Sequence, residues 1–226
     1  NPVCRGLASV FLNTSTVALP STITNWFWDF TNDGITDNTT MAPNNTYPLD
    51  GVYPVELKGV TGNGCRDSLL VNITVHATPT VAFNPINNCA NTNILLNNTS
   101  SINAPSTLAG FSWLFGPAAT PLTSNVSSPP SLAYSTPGIK TITLTLTSNN
   151  SCTATATRTV QVYASPTASF NANPVCSGII TTFTDVTTPV GQITNWEWDY
   201  TNNNSIDATA QNPSNLFPAS GNYNTS

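Results

Sequence analysis

Along this chain, short stretches in which apolar and polar residues alternate are separated by runs of Asn, Thr, Ser, Gly and Pro. Thr141-Ile142-Thr143-Leu144-Thr145-Leu146-Thr147 is a period-two pattern, the signature of a strand with one face buried. Leu69, Val71, Ile73 and Val75 alternate with Asn72 and Thr74, which predicts a second strand with a buried face. The alternation, with Gly- and Asn-rich turns between, predicts strands over Leu7–Leu12, Thr22–Phe30, Gly51–Val60 and Asp67–Val75. Further on it predicts Val81–Phe83, Asn93–Asn97, Ala109–Phe115, Ile139–Thr147 and Thr153–Val162. Thr61-Gly62-Asn63-Gly64 supplies a hairpin turn between the third and fourth of these. The expected class is all-β.

The pattern also repeats. Asn25-Trp26-Phe27-Trp28-Asp29-Phe30 returns as Phe111-Ser112-Trp113-Leu114-Phe115 and as Asn195-Trp196-Glu197-Trp198-Asp199-Tyr200, with the second Trp at 28, 113 and 198, a period of 85 residues. That period is the size of one small sandwich domain. His76-Ala77-Thr78-Pro79 recurs as Tyr163-Ala164-Ser165-Pro166, and Asn1-Pro2-Val3-Cys4 as Asn173-Pro174-Val175-Cys176. The expected division is 1–77, 78–164 and 165–226, joined by short proline linkers, with the third repeat lacking its closing strands. Alternation puts Trp28, Trp113 and Trp198 on the core face; the competing reading is a sugar-stacking platform. The opposite face, with Phe27 and Asp29, Ser112 and Leu114, Glu197 and Asp199, is expected to meet solvent or a neighbouring surface.

Composition changes this picture in one respect. Only 7% of the 226 residues are charged, against about a quarter in an ordinary globular protein, so the surface is built from neutral Asn, Thr and Ser. The formal net charge is −5 and the few Lys and Arg are scattered, so nucleic acid and anionic membrane are poor partners. The sequence has no apolar run of membrane-spanning length. Between Asp67 and Asp185 there is no Asp or Glu, and the single His, His76, aligns with Tyr163 at a repeat junction. Catalytic residues are therefore expected to be absent.

Two groups of residues carry candidate chemistry. Cys4 and Cys65 bracket the first repeat, Cys89 and Cys152 the second, and Cys176 opens the third. The spacing is read as disulfides Cys4–Cys65 and Cys89–Cys152 in an oxidising, extracytoplasmic setting, with Cys176 unpaired in this stretch; the alternative is free buried thiols. Asp29, Asn32, Asp33 and Asp37 lie in one loop with Gly34 and form a candidate Ca²⁺ site, the competing reading being turn chemistry.

Trp28-Asp29-Phe30-Thr31-Asn32-Asp33-Gly34 followed by Gly51-Val52-Tyr53-Pro54-Val55-Glu56-Leu57 resembles the hallmark of PKD (polycystic kidney disease) domains. Repeat three keeps Trp198-Asp199-Tyr200 and Gly221-Asn222-Tyr223; repeat two keeps Trp113, Phe115 and Gly116 but has Leu114 for the Asp and Ile139 for the Tyr. The resemblance implies tandem Ig-like (PKD-type) β-sandwich domains. The N-P-V-C openings and the Asn/Thr-rich surface are similar to long cell-surface proteins of gliding and adhesive Bacteroidetes-type bacteria. That likeness implies a non-catalytic fibre, stalk or adhesin whose partners are neighbouring repeats, other copies or surface polysaccharide. The alternative is an accessory carbohydrate-binding or spacer module of a secreted hydrolase.

Overall fold

The computed structural model describes residues 3–226, so Asn1 and Pro2 of the first N-P-V-C motif lie outside the described residues. Among the described residues every element is a strand. In repeat 1 these are β1 (Val3–Cys4), β2 (Ala8–Val10), β3 (Ile23–Asp29), β4 (Asn44–Thr46), β5 (Gly51–Thr61) and β6 (Arg66–His76). One sheet has the order β1-β6-β5-β3, and β2 pairs with β4 in the layer facing it. The Asn63-Gly64 turn joins β5 and β6, and the antiparallel ladder runs from Gly51↔Val75 to Val60↔Arg66. β1 and β4 are the elements that alternation did not announce. β1 adds two residues parallel to the end of the last strand, Val3↔Val75 and Cys4↔His76.

Repeat 2 contains β7 (Phe83–Asn84), β8 (Asn88–Cys89), β9 (Asn97–Asn98), β10 (Leu108–Leu114), β11 (Ala119–Thr120), β12 (Thr123–Ser124), β13 (Ala133–Tyr134), β14 (Gly138–Ser148) and β15 (Thr153–Tyr163). Its main sheet, β12-β10-β14-β15-β8, again ends in a short parallel strand, Val162↔Asn88 and Tyr163↔Cys89. β7 with β9, β11 with β13 and an Ile94↔Leu132 bridge form the second layer. Ile142, Leu144 and Leu146 are fully buried between the layers with Trp113, Phe115, Leu132 and Tyr134. The period-two reading of Thr141–Thr147 therefore holds residue by residue, while Ile139, earlier in β14, is exposed.

In β6 the same reading needs correction. Val75 is buried, but Leu69 and Val71 are 64% and 44% exposed. Along most of its length β6 is an edge strand, since β1 pairs only with its last residues. Alternation reports which side chains share a face; whether that face is covered depends on the reach of the opposing layer.

Repeat 3 shows β16 (Phe170–Ala172), β17 (Ile180–Asp185) and β18 (Ser214–Leu216) in one three-stranded sheet. The residues before Trp198, expected as a strand, make only a Trp198↔Ala208 bridge. The reason is the partner: in repeat 1 Asp29 pairs with Glu56 of β5, and here the chain supplies one matching rung, Asp199 with Ser226. All sheet pairing stays within 1–77, 78–164 or 165–226. The architecture is a tandem of all-β, Ig-like sandwiches.

Candidate functional site

The three tryptophans are core residues. Trp28 is 5%, Trp113 1% and Trp198 5% exposed. Each indole N–H donates to a carbonyl 12 or 13 residues downstream: Trp28 to Thr40 at 3.0 Å, Trp113 to Val126 at 3.0 Å and Trp198 to Ala210 at 2.9 Å. Burial and a satisfied donor leave no ring face for stacking a sugar.

The Asp29 turn follows from the same strand. Asp29 is on the face expected to meet solvent or a neighbouring surface, yet it is buried, as is Asp199. Asp29 Oδ1 accepts from the amides of Thr31, Asn32 and Asp33, and Oδ2 from that of Gly34 at 2.8 Å. Asp37 Oδ2 accepts from Phe30 N at 2.7 Å, and Asp33 Oδ1 from Ile35 N at 2.9 Å. Burial pushes the Asp29 carboxyl up, but the amides of Gly34, Thr31, Asn32 and Asp33 outweigh it and leave the group below its ordinary value. Repeat 3 reproduces the arrangement: Asp199 accepts from Thr201 and Asn204, and Asp207 from Tyr200 N at 2.7 Å. Asn204, at φ 65°, takes the left-handed position held by Gly34.

These contacts bear on the two readings of the loop. Asp29, Asn32, Asp33 and Asp37 do lie together, but the Asp29 oxygens are filled by converging N–H dipoles, whose positive ends oppose a cation. No group of three His, Cys, Asp or Glu side chains placed to share a metal ion occurs among the described residues. As placed, the residues form a turn in which carboxylates serve as acceptors for backbone amides. In repeat 2, Leu114 occupies the Asp position and no such turn forms.

The cysteines depart furthest from expectation. Cys4 is bonded to Cys152, across repeats, with Cα atoms 5.7 Å apart. Cys65, Cys89 and Cys176 are free thiols. The expected Cys4–Cys65 and Cys89–Cys152 bonds fail on strand length. Cys4 lies beside His76 at the end of β6, whereas Cys65 precedes Arg66 at its start. β6 is 11 residues long, about 33 Å at roughly 3.3 Å per residue. Disulfide Cα atoms must come within about 7 Å. Cys89 and Cys152 stand at opposite ends of the 11-residue β15 in the same way.

Around the staple a seam is built from residues that spacing did not single out. Arg5 donates to Asp50 Oδ1 at 3.2 Å and to the Thr78 carbonyl at 3.4 Å, and Thr78 Oγ1 donates back to the Arg5 carbonyl at 2.7 Å. Asn103 of repeat 2 reaches the same Asp50 oxygen at 3.3 Å. Arg5 adjoins Cys4 in a chain with few cations, and that adjacency was the one available signal. A second missed residue is Asp185, which accepts from the Trp196 indole at 2.9 Å and from Gln211 at 3.2 Å. The Thr187 hydroxyl and amide, with these donors, hold its carboxyl down at about 2.

Stacked sheets with buried tryptophans and a covalent seam define a run of Ig-like modules. No family model matches the chain. No curated protein matches it either. Among solved structures it is similar to the fibronectin(III)-like modules of Clostridium thermocellum CbhA, at 13% identity and TM-score 0.35, over 72% of this chain and 89% of that one. It is also similar to three N-terminal domains of the bacteriophage RB49 highly immunogenic outer capsid protein, at 11% identity and TM-score 0.34, over 94% and 77%. Sidekick-1 immunoglobulin domains 1–4 match at 13% identity and TM-score 0.29, over 88% and 59%.

Proposed function

We propose that this chain is a run of PKD-type repeats that serves as a non-catalytic spacer in an extracellular, cell-surface fibre, stalk or adhesin. The observation that carries the reading is the Cys4–Cys152 staple between successive repeats. A bond inside a sandwich serves that sandwich's own stability, whereas a bond across a junction limits bending at the linker. Limited bending suits a polypeptide whose task is reach. Such a bond persists in an oxidising compartment. The Trp28-Asp29-Phe30 turn and the Gly51-Val52-Tyr53 strand entry support the PKD-type assignment on sequence resemblance. A module that contacts only its neighbours can be repeated without redesigning its core. Its partners are then adjacent repeats, other copies and surface polysaccharide, with the exposed Leu114 on the outward face one candidate contact.

The test is deletion of the encoding gene, scoring surface attachment, surface fibres and secreted polysaccharide hydrolysis side by side. Loss of attachment or fibres with hydrolysis intact is the expected result. Intact attachment and fibres with hydrolysis lost would replace this reading with that of an accessory module on a secreted hydrolase.

A further inference from the structure

The five cysteines occupy only two kinds of seat. In the opening-strand seat, which is a strand end for Cys4 and Cys89 and the matching turn without a strand for Cys176, the cysteine carbonyl accepts from the residue three positions on: Leu7 N at 3.1 Å for Cys4, Thr92 N at 3.3 Å for Cys89 and Ile179 N at 3.1 Å for Cys176. The intervening Gly6, Asn91 and Gly178 all have positive φ and donate to the carbonyls of Tyr47, Tyr134 and Phe217. In the hairpin seat, Thr61 N donates to the Cys65 carbonyl at 2.9 Å and Ser148 N to the Cys152 carbonyl at 2.8 Å. The return bonds also match, Cys65 N to Thr61 Oγ1 at 3.1 Å and Cys152 N to Ser148 Oγ at 3.0 Å. The one disulfide joins an opening-strand seat to the hairpin seat of the following repeat.

The linkers keep this geometry. Arg5 N donates to the His76 carbonyl at 2.9 Å and Ala90 N to that of Tyr163 at 2.8 Å. Thr78 Oγ1 donates to the Arg5 carbonyl at 2.7 Å, and Ser165 Oγ to that of Ala90 at 2.8 Å. The chain thus leaves repeat 2 past Cys89 as it leaves repeat 1 past Cys4. Cys65 stands at the other end of repeat 1, exposed, in the seat that is bonded in repeat 2.

We propose that Cys4–Cys152 is one link of a rule in which each hairpin cysteine bonds the opening-strand cysteine of the repeat stacked before it, so that Cys65 is a covalent docking site for an opening-strand cysteine of another repeat of this kind. A second copy of the chain supplies such a cysteine in Cys176, which is exposed in the same local turn as Cys4. Each link removes two S–H protons and two electrons, taken by a disulfide oxidant: the Cys65 thiolate attacks the oxidant and expels one thiol, and the partner thiolate displaces the second. The rule concerns the seam alone and does not depend on the adhesive reading.

The chain is purified without reductant and its cysteine peptides are mapped by mass spectrometry, then mapped again after incubation with oxidised glutathione. Expected first are a Cys4–Cys152 link and three free thiols. Oxidation is then expected to give a head-to-tail ladder on non-reducing gels, with Cys65–Cys176 as the dominant intermolecular link. Cys65→Ser should abolish the ladder and Cys89→Ser should leave it, with circular dichroism showing both variants folded. Cys4–Cys65 or Cys89–Cys152 links at the first stage would overturn the proposal. So would Cys65–Cys65 and Cys176–Cys176 links as abundant as Cys65–Cys176, or glutathione-capped monomers without a ladder.

Discussion

Repeats 1 and 2 share one plan but differ in how much they bury. Repeat 2 gathers thirteen buried residues into its core, from Phe83 to Val162, while repeat 1 gathers five: Trp28, Phe30, Tyr47, Val55 and Val75. The ladders show where the difference arises. Phe111 pairs with Leu146 in repeat 2, and the matching pair in repeat 1 is Trp26 with Gly59. Leu144, opposite Trp113, is fully buried, whereas Leu57, opposite Trp28, is only partly covered. Repeat 1 has polar contacts that repeat 2 lacks, the Asp29 turn and the Arg5–Asp50 pair. Edge strands follow the opposite logic. Arg158 stands on β15 opposite Ile142, where repeat 1 has Val71 opposite Val55. An inward charge on an edge discourages pairing with another chain, and Val71 with Leu69 and Leu70 leaves that edge apolar.

The largest separation between the two repeats should come from their cores. Leu144→Ala is expected to cost about 3 kcal/mol and Leu57→Ala about 1 kcal/mol, because the cost rises with the cavity left behind. Urea unfolding of the intact chain, followed by Trp fluorescence, reads both, and equal losses would refute the packing difference. Next, Asp29→Ala should cost about 1–2 kcal/mol by leaving the turn amides without acceptors. The same experiment at the matching site, Leu114→Ala, should stay within about 0.5 kcal/mol because that side chain is exposed.

Acid should then part the repeats without any mutation. The Asp29 carboxyl is held below its ordinary value in the fold, so its contribution is complete above the unfolded-state value and fades as pH falls below about 4 through the folded one. Asp199 is shifted in the same direction by its own turn amides, against burial, which alone would raise it. Repeat 2 has no carboxylate side chain. Amide hydrogen exchange across this range should show repeats 1 and 3 losing protection first, and a uniform loss would contradict the assignment. The smallest effect is expected from Val71→Arg, which copies Arg158. Stability should change by no more than about 0.5 kcal/mol, while self-association measured by sedimentation falls; unchanged association would clear that edge of any role.

How far each feature was legible beforehand depends on the range of the interactions that make it. β3, β5, β10, β14 and the hairpin turns answer to local rules, alternation and turn residues, and appear within a residue or two of their expected bounds. Burial of Trp28, Trp113 and Trp198 follows from the same alternation together with the 85-residue repeat. The Asp29 turn was half legible: its residues announced a loop, but whether the oxygens served a cation or the backbone depended on where the amides of Thr31 to Gly34 pointed. β1 and β8 carried no periodic signal, because a two-residue strand is made by its parallel neighbour.

By itself, then, the sequence determined the all-β class, the repeat and the register of side chains within each strand, since these depend on chemistry only a few residues apart. Tertiary structure alone decided which faces were covered and which cysteines met. Both are questions of what lies across a gap. Cys4 and Cys65 belong to one repeat but stand a full strand length apart. Cys4 and Cys152 are 148 residues apart in the chain and adjacent in space, because stacking one sandwich on the next brings the end of one sheet against the hairpin tip of its neighbour.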